Sequence, residues 1–152
     1  MTDNPTVAVL RLYPERDGDL PLPQYMSAGA AGCDLVAANP LPIVLQPLQR
    51  ALIPTGLCLA IPAGFEGQVR PRSGLALKRG LGMPNAPGTI DSDYRGELLV
   101  PLINFDTVAQ TVVRGERIAQ LVISPVVQAQ FVQVSELTAS DRGERGFGST
   151  GV

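Results

Sequence analysis

Glycine and proline punctuate this chain, 16 and 14 of them in 152 residues, too often for long helices to form between them. Apolar residues nevertheless return between those breaks too regularly for a disordered chain. What remains is a succession of short strands. The aromatic share is 5% and there is no Trp, so the core has to be aliphatic, built from Val, Leu, Ile and Ala. Many of these are β-branched and suit a pleated surface. At this length, with 45% hydrophobic residues, one all-β domain with an adequate core is expected.

In chain order, residues 7–13 alternate as a first strand, and residues 14–23 are rich in turn formers. Further strands are expected at residues 43–45, 51–61 and 66–69, with breaks at Pro47, Pro54, Pro62 and Gly64. Ser73 stands where it can cap a short helix over residues 74–79, which Gly80 ends. Residues 81–88 hold two prolines and two glycines and read as a loop of fixed shape. Strands follow at residues 98–105, 110–113 and 118–123, with a turn at 114–117. The pattern fades after residues 132–134 into a Gly-rich tail. No internal repeat or interior linker interrupts the chain.

Charge and residue usage exclude several functions. A formal net charge of −2 gives no general pull towards nucleic acid polymers or anionic membranes, so any phosphate has to be met locally. The chain contains no His, which removes serine and cysteine triads, histidine-ligated zinc and histidine acid–base chemistry. Cys33 and Cys58 have no metal or redox spacing and read as buried small hydrophobes in a reducing cytoplasm. Residues 1–7 lack the basic and apolar regions of a leader, and no apolar run reaches membrane-span length, so a soluble, cytoplasmic protein is expected.

Polar chemistry concentrates in a few stretches. Residues 88–97 crowd Asp91, Asp93, Tyr94 and Arg95 between Gly88 and Gly96, with Glu97 next, at the mouth of a strand. Taken alone, they read as a solvated hairpin turn. Residues 27–35 are small and end in the single acid Asp34, and by themselves read as a tight turn. Arg72, Ser73 and Gly74 bring a guanidinium, a hydroxyl and free N–H groups together, which suits an anion as well as it suits a capped turn. Gln120 is the one polar residue within the apolar run 118–123, able to satisfy neighbouring backbone or a ligand. The tail places Arg142, Phe147, Ser149 and Thr150 among glycines, a composition that serves a loose end or a phosphate-wrapping lid.

Together these segments resemble the five motifs of the trimeric dUTPase family, in order and over nearly the whole chain. Residues 31–35 resemble the first motif, 71–76 the second, 88–97 the third, 114–121 the fourth and 142–151 the fifth. The resemblance implies a jelly-roll-like all-β subunit with one short helix after the second motif, assembled as a homotrimer whose three sites each draw on all three chains. It divides the chain into a β domain, residues 1–140, and a C-terminal arm, residues 141–152, that closes over the site. The implied reaction is hydrolysis of dUTP to dUMP and pyrophosphate, which limits uracil in DNA and supplies dUMP for dTMP synthesis.

By the same resemblance Asp91 is the general base that activates a water for attack on the α-phosphorus. Tyr94 lies against the deoxyribose and leaves no room for a 2′-hydroxyl. Backbone groups of Asn85, Gly88, Thr89, Ile90 and Leu99 read uracil, and cytosine is refused by mismatched polarity. Arg72, Ser73, Gly74 and Gln120 hold the phosphates. The cofactor is Mg²⁺, chelated by the triphosphate and reached by Asp34 through water. Phe147 stacks on uracil, while Arg142, Ser149 and Thr150 take the γ-phosphate. One departure stands out: Arg145-Gly146 precedes Phe147 where the family usually has two glycines. The rival readings are a dCTP deaminase of the same fold, which needs a base-side glutamate and lacks this fifth motif, and a dUTP-binding regulator without catalysis.

Overall fold

A computed structural model describes residues 4–146. The elements run β1 (Ala8–Arg11), α1 (Pro14–Asp17), β2 (Cys33–Val36), β3 (Ile43–Leu45), β4 (Arg50–Ala60), β5 (Phe65–Pro71) and α2 (Ser73–Arg79). They continue with β6 (Leu81–Gly82), β7 (Gly88–Ile90), β8 (Glu97–Asn104), β9 (Gln110–Val112) and β10 (Arg117–Pro125). All described strand pairs are antiparallel. One sheet has the order β1-β4-β8-β6, a second β2-β10-β5-β7, and β3 pairs with β9. This is the expected all-β, jelly-roll-like architecture.

Alternation builds the core. Along β8, Leu98, Val100, Leu102 and Asn104 turn inward while Leu99, Pro101 and Ile103 turn out. Leu35, Val69, Ala119 and Leu121 of the second sheet meet Ile53, Leu59, Val100 and Leu102 of the first in one aliphatic cluster. Both cysteines are free and buried. No described helix is long and apolar enough to cross a membrane.

Several local expectations are corrected. Pro54 lies inside β4 rather than ending it. Its carbonyl accepts the Ala38 N–H on the side away from β8, so the missing proline N–H falls where β1 no longer pairs. The turn-rich segment after β1 contains a one-turn helix, with Pro14 in its first turn. Ser73 is the first residue of α2 and makes no capping bond; extended Arg72 occupies the cap, because β5 runs almost directly into the helix. Gly80 does end α2, in the left-handed conformation. The loop 81–88 contributes Leu81–Gly82 to β8 and Gly88 to β5. Residues 132–134 form no strand and are exposed.

A polar brace ties the first turn to the β9–β10 turn. Asp17 is wholly buried on α1, and Arg16 grips its two carboxylate oxygens at 2.9 and 2.7 Å. Arg114 approaches Asp17 Oδ1 at 3.4 Å and clasps Asp19 at 2.6 and 2.8 Å. The Arg16 guanidinium beside Asp17 holds its carboxyl below the usual carboxylate range, against the opposing effect of burial. Arg114 in the same way lowers Asp19 to about 2.

Candidate active site

The second sheet gathers three of the polar stretches on its outward face. Gln120 on β10 stands opposite Asp34 on β2 and, across its other edge, opposite Arg70 on β5. Directly paired residues point to the same face, so Asp34 and Gln120 share it while Leu35 and Leu121 enter the core. Gly32 leaves space beside this pair, since a Cβ there would meet Gln120 Oε1 at 3.4 Å and Val122 Cγ2 at 3.3 Å.

Beyond Pro71 the chain enters Arg72, whose Nε lies 3.0 Å from Asp34 Oδ1. That Nε is buried and makes no hydrogen bond at the angle it holds. Arg117 reaches Asp34 Oδ2 at 3.4 Å, and Arg72 Nη1 donates to the Arg117 carbonyl at 3.3 Å. Two guanidiniums therefore share one carboxylate, leaving an excess of positive charge beside Gln120 and the exposed first turn at Ser73 and Gly74. Sequence reading left Arg117 as a turn residue, because its partner Asp34 comes from the opposite end of the chain.

Asp91 stands elsewhere. β7 pairs with β5 with Val69 opposite Gly88, Gln68 opposite Thr89 and Gly67 opposite Ile90, which puts Asp91 at the far edge of the sheet. Three strand spacings, with an offset of about four residues along the strands, separate it from Asp34 by about 20 Å. The Asp91 carboxylate is exposed and, among the described residues, engages no hydrogen bond or ion pair. Its carbonyl accepts the Tyr94 N–H at 3.2 Å, and Arg95 closes the turn by donating to the carbonyls of Ser92 and Tyr94 at 2.6 and 2.8 Å. Asn85 lies against buried Gly88, after which Thr89 turns outward and Ile90 inward. Leu99 sits on β8 opposite Pro54, part-exposed on the outer face of the first sheet.

One chain thus brings Asp34, Arg72, Ser73, Gly74 and Gln120 together, and keeps Asp91 and the adjoining Tyr94 at a distance. A family model described as dUTPase matches residues 19–151. The chain belongs to the dUTPase family. It is 56% identical to the deoxyuridine 5'-triphosphate nucleotidohydrolase of an Anaeromyxobacter species over 97% of this chain and 99% of that one. A protein of the same name from Methylocella silvestris is also 56% identical, over 99% of this chain and 94% of its own. Among solved structures, a mutant Staphylococcus bacteriophage 80alpha dUTPase with dUpNHpp is similar at a TM-score of 0.86 and 30% identity, covering 97% of this chain and 99% of the phage chain.

Within the dUTPase frame the first, second and fourth motifs converge on Asp34, and the third stands apart as the turn that carries the chain from β7 in the second sheet to β8 in the first, not as a hairpin. Of the fifth, Arg142 is described: its Nε donates to the Arg145 carbonyl and Arg145 Nε returns a bond to the Arg142 carbonyl, at 2.8 and 3.0 Å. Leu48 is the one described non-glycine residue with positive φ, so Arg145 carries no left-handed strain. Phe147, Ser149 and Thr150 lie outside the described residues. No group of three or more His, Cys, Asp or Glu side chains gathers among the described residues as a metal cage. A single carboxylate flanked by arginines fits a hydrated Mg²⁺ held chiefly by phosphate oxygens.

Proposed function

We propose that this chain is a dUTP diphosphatase working as a homotrimer, with Asp91 as general base. The observation that carries the reading is the Asp91 carboxylate itself: exposed, unpaired among the described residues, and held beside Tyr94 in the tied turn between β7 and β8. The relatives' printed names and the dUpNHpp in a similar structure support the substrate.

In the reaction, water oxygen bonds to the α-phosphorus in line with the bond to the bridging oxygen of the β-phosphate, which breaks and releases pyrophosphate. Asp91 takes the proton from that water. Arg72, Ser73, Gly74 and Gln120 hold the phosphates, and the positive excess around Asp34 offsets the charge that develops on the leaving group. Bound Mg²⁺ would supply phosphate geometry and charge neutralisation, and Asp34 is the residue that would hold it, through water. Backbone groups of Asn85, Gly88, Thr89, Ile90 and Leu99 read uracil, and Tyr94 abuts the sugar.

The separation of about 20 Å between Asp91 and Asp34 is wider than a triphosphate bridges and supports sites shared between copies. The Asp91 turn of one chain then faces the arginine cluster of another. Residues 1–140 act as the β domain and residues 141–152 as the arm that closes with Arg142, Phe147, Ser149 and Thr150. The two free buried thiols suit a reducing cytoplasm.

The test is pyrophosphate release from dUTP, dTTP, dCTP and UTP with Mg²⁺, for the native chain and for Asp91→Asn. Release from dUTP alone, reduced about 10²- to 10⁴-fold by the substitution at unchanged melting temperature, is the expected result. Ammonia release would point to deamination. Tight dUTP binding without turnover would leave a nucleotide-binding regulator.

A further inference from the structure

The Tyr94 ring folds back over its own chain. Its hydroxyl donates to the Glu97 carbonyl at 2.9 Å, so the ring crosses Gly96 on the way. A Cβ built on Gly96 would stand 2.4 Å from the Tyr94 hydroxyl oxygen, 2.6 Å from Cζ and 3.0 Å from Cε2. Gly96 is not among the positive-φ glycines, so what its place demands is the absence of a side chain and not special backbone freedom. The obstruction is the far end of a side chain that is 43% exposed. Faced with an added methyl group, the ring yields and the sheet stays.

The seat beneath the ring is firm. Glu97 opens β8, and its Oε1 accepts the Gly56 N–H from β4 at 2.8 Å. Gly56 has φ +68 and packs so closely on the buried Asp17 that a Cβ would fall 2.7 Å from Asp17 Oδ2. The carbonyl that receives the Tyr94 hydroxyl therefore belongs to the rigid part of the fold.

We propose that Gly96 is a specificity-determining position, whose missing side chain lets Tyr94 lie across its own turn and anchor on the Glu97 carbonyl, fixing the ring that rejects a ribose 2′-hydroxyl. The inference rests on the reading that Tyr94 faces the sugar. A tyrosine free at χ1 has other staggered positions open to it and moves aside for one extra oxygen. Held at both ends of its ring, Tyr94 cannot. Discrimination against ribonucleotides then belongs to Tyr94, Gly96 and Glu97 jointly, with Gly96 and Glu97 as positioning residues.

The experiment compares kcat/KM for dUTP and UTP in the native chain, Gly96→Ala, Tyr94→Phe, Tyr94→Ala and the double variant Gly96→Ala with Tyr94→Ala, alongside melting temperatures. Gly96→Ala should lower the dUTP-to-UTP ratio about tenfold or more, the range one small group commands in a shaped pocket, with little change in melting temperature. Tyr94→Phe, which keeps the ring and loses the anchor, should fall between. In the Tyr94→Ala background Gly96→Ala should change the ratio no further. An unchanged ratio in Gly96→Ala, full discrimination in Tyr94→Phe, or an equal loss with and without the tyrosine ring would each overturn the proposal. Calorimetric Kd values for dUTP and UTP report the same ratio without turnover, so a native chain that fails to hydrolyse dUTP refutes the assigned reaction separately.

Discussion

Asp17→Asn should weaken the fold by about 3 kcal/mol at neutral pH, because the change leaves the shape of a fully buried side chain intact and removes its charge. Arg16 makes two charge-assisted bonds to the carboxylate, at 2.9 and 2.7 Å. An amide keeps one acceptor and turns its NH₂ towards a donor, so one bond is lost and the other weakened. At about 1.5 to 3 kcal/mol for a hydrogen bond to a charged group, the sum is about 3 kcal/mol. For a chain of this size that is a drop of roughly 6 to 12 °C in Tm.

The pH dependence follows from the direction of the shift. Arg16 holds the Asp17 pKa below its unfolded value, so its stabilisation is complete above about pH 4 and fades as pH falls through the lower folded value. Urea unfolding followed by far-UV circular dichroism, suited to a chain without Trp, should give a constant gap between native and variant from pH 8 to 5 and a narrowing one below pH 4. A gap under about 1 kcal/mol at pH 7, or one as wide at pH 3 as at pH 7, refutes the reasoning.

Two further outcomes concern the site. Asp91→Asn and Arg72→Ala, each nearly inactive alone, should regain about one quarter of native activity when refolded together in equal amounts, since a random trimer then pairs an intact Asp91 turn with an intact arginine cluster in that share of its sites. Activity that stays at the level of the separate variants would place both residues in one chain's own site. Asp34→Asn should raise the Mg²⁺ concentration for half-maximal activity about tenfold or more, as outer-sphere ligands do, and an unchanged Mg²⁺ titration would remove Asp34 from the metal's surroundings.

The sheet was legible in the sequence where one face is apolar and the other polar. Alternation in residues 66–69 and the apolar run at residues 118–123 marked β5 and β10 to within a few residues. Pro54 misled, because whether a proline breaks a strand depends on whether its N–H side faces a neighbour, and that is settled by where β1 stops. The family resemblance named Asp34, Arg72 and Gln120, but only the β2-β10-β5 register puts them side by side. The Asp17 brace and the Tyr94 seat were invisible: the one joins α1 to a turn far along the chain, and the other depends on where a ring lies.

If sites are shared between copies, the placement of Asp34 and Asp91 at opposite edges of one sheet makes catalysis a matter of mass action. On that reading each chain carries its own arginine cluster, yet turnover requires that copies meet. Dilution below the dissociation constant of the assembly should then silence the enzyme without unfolding it. A molecule that occupied the Asp91 turn would likewise inhibit without resembling the substrate.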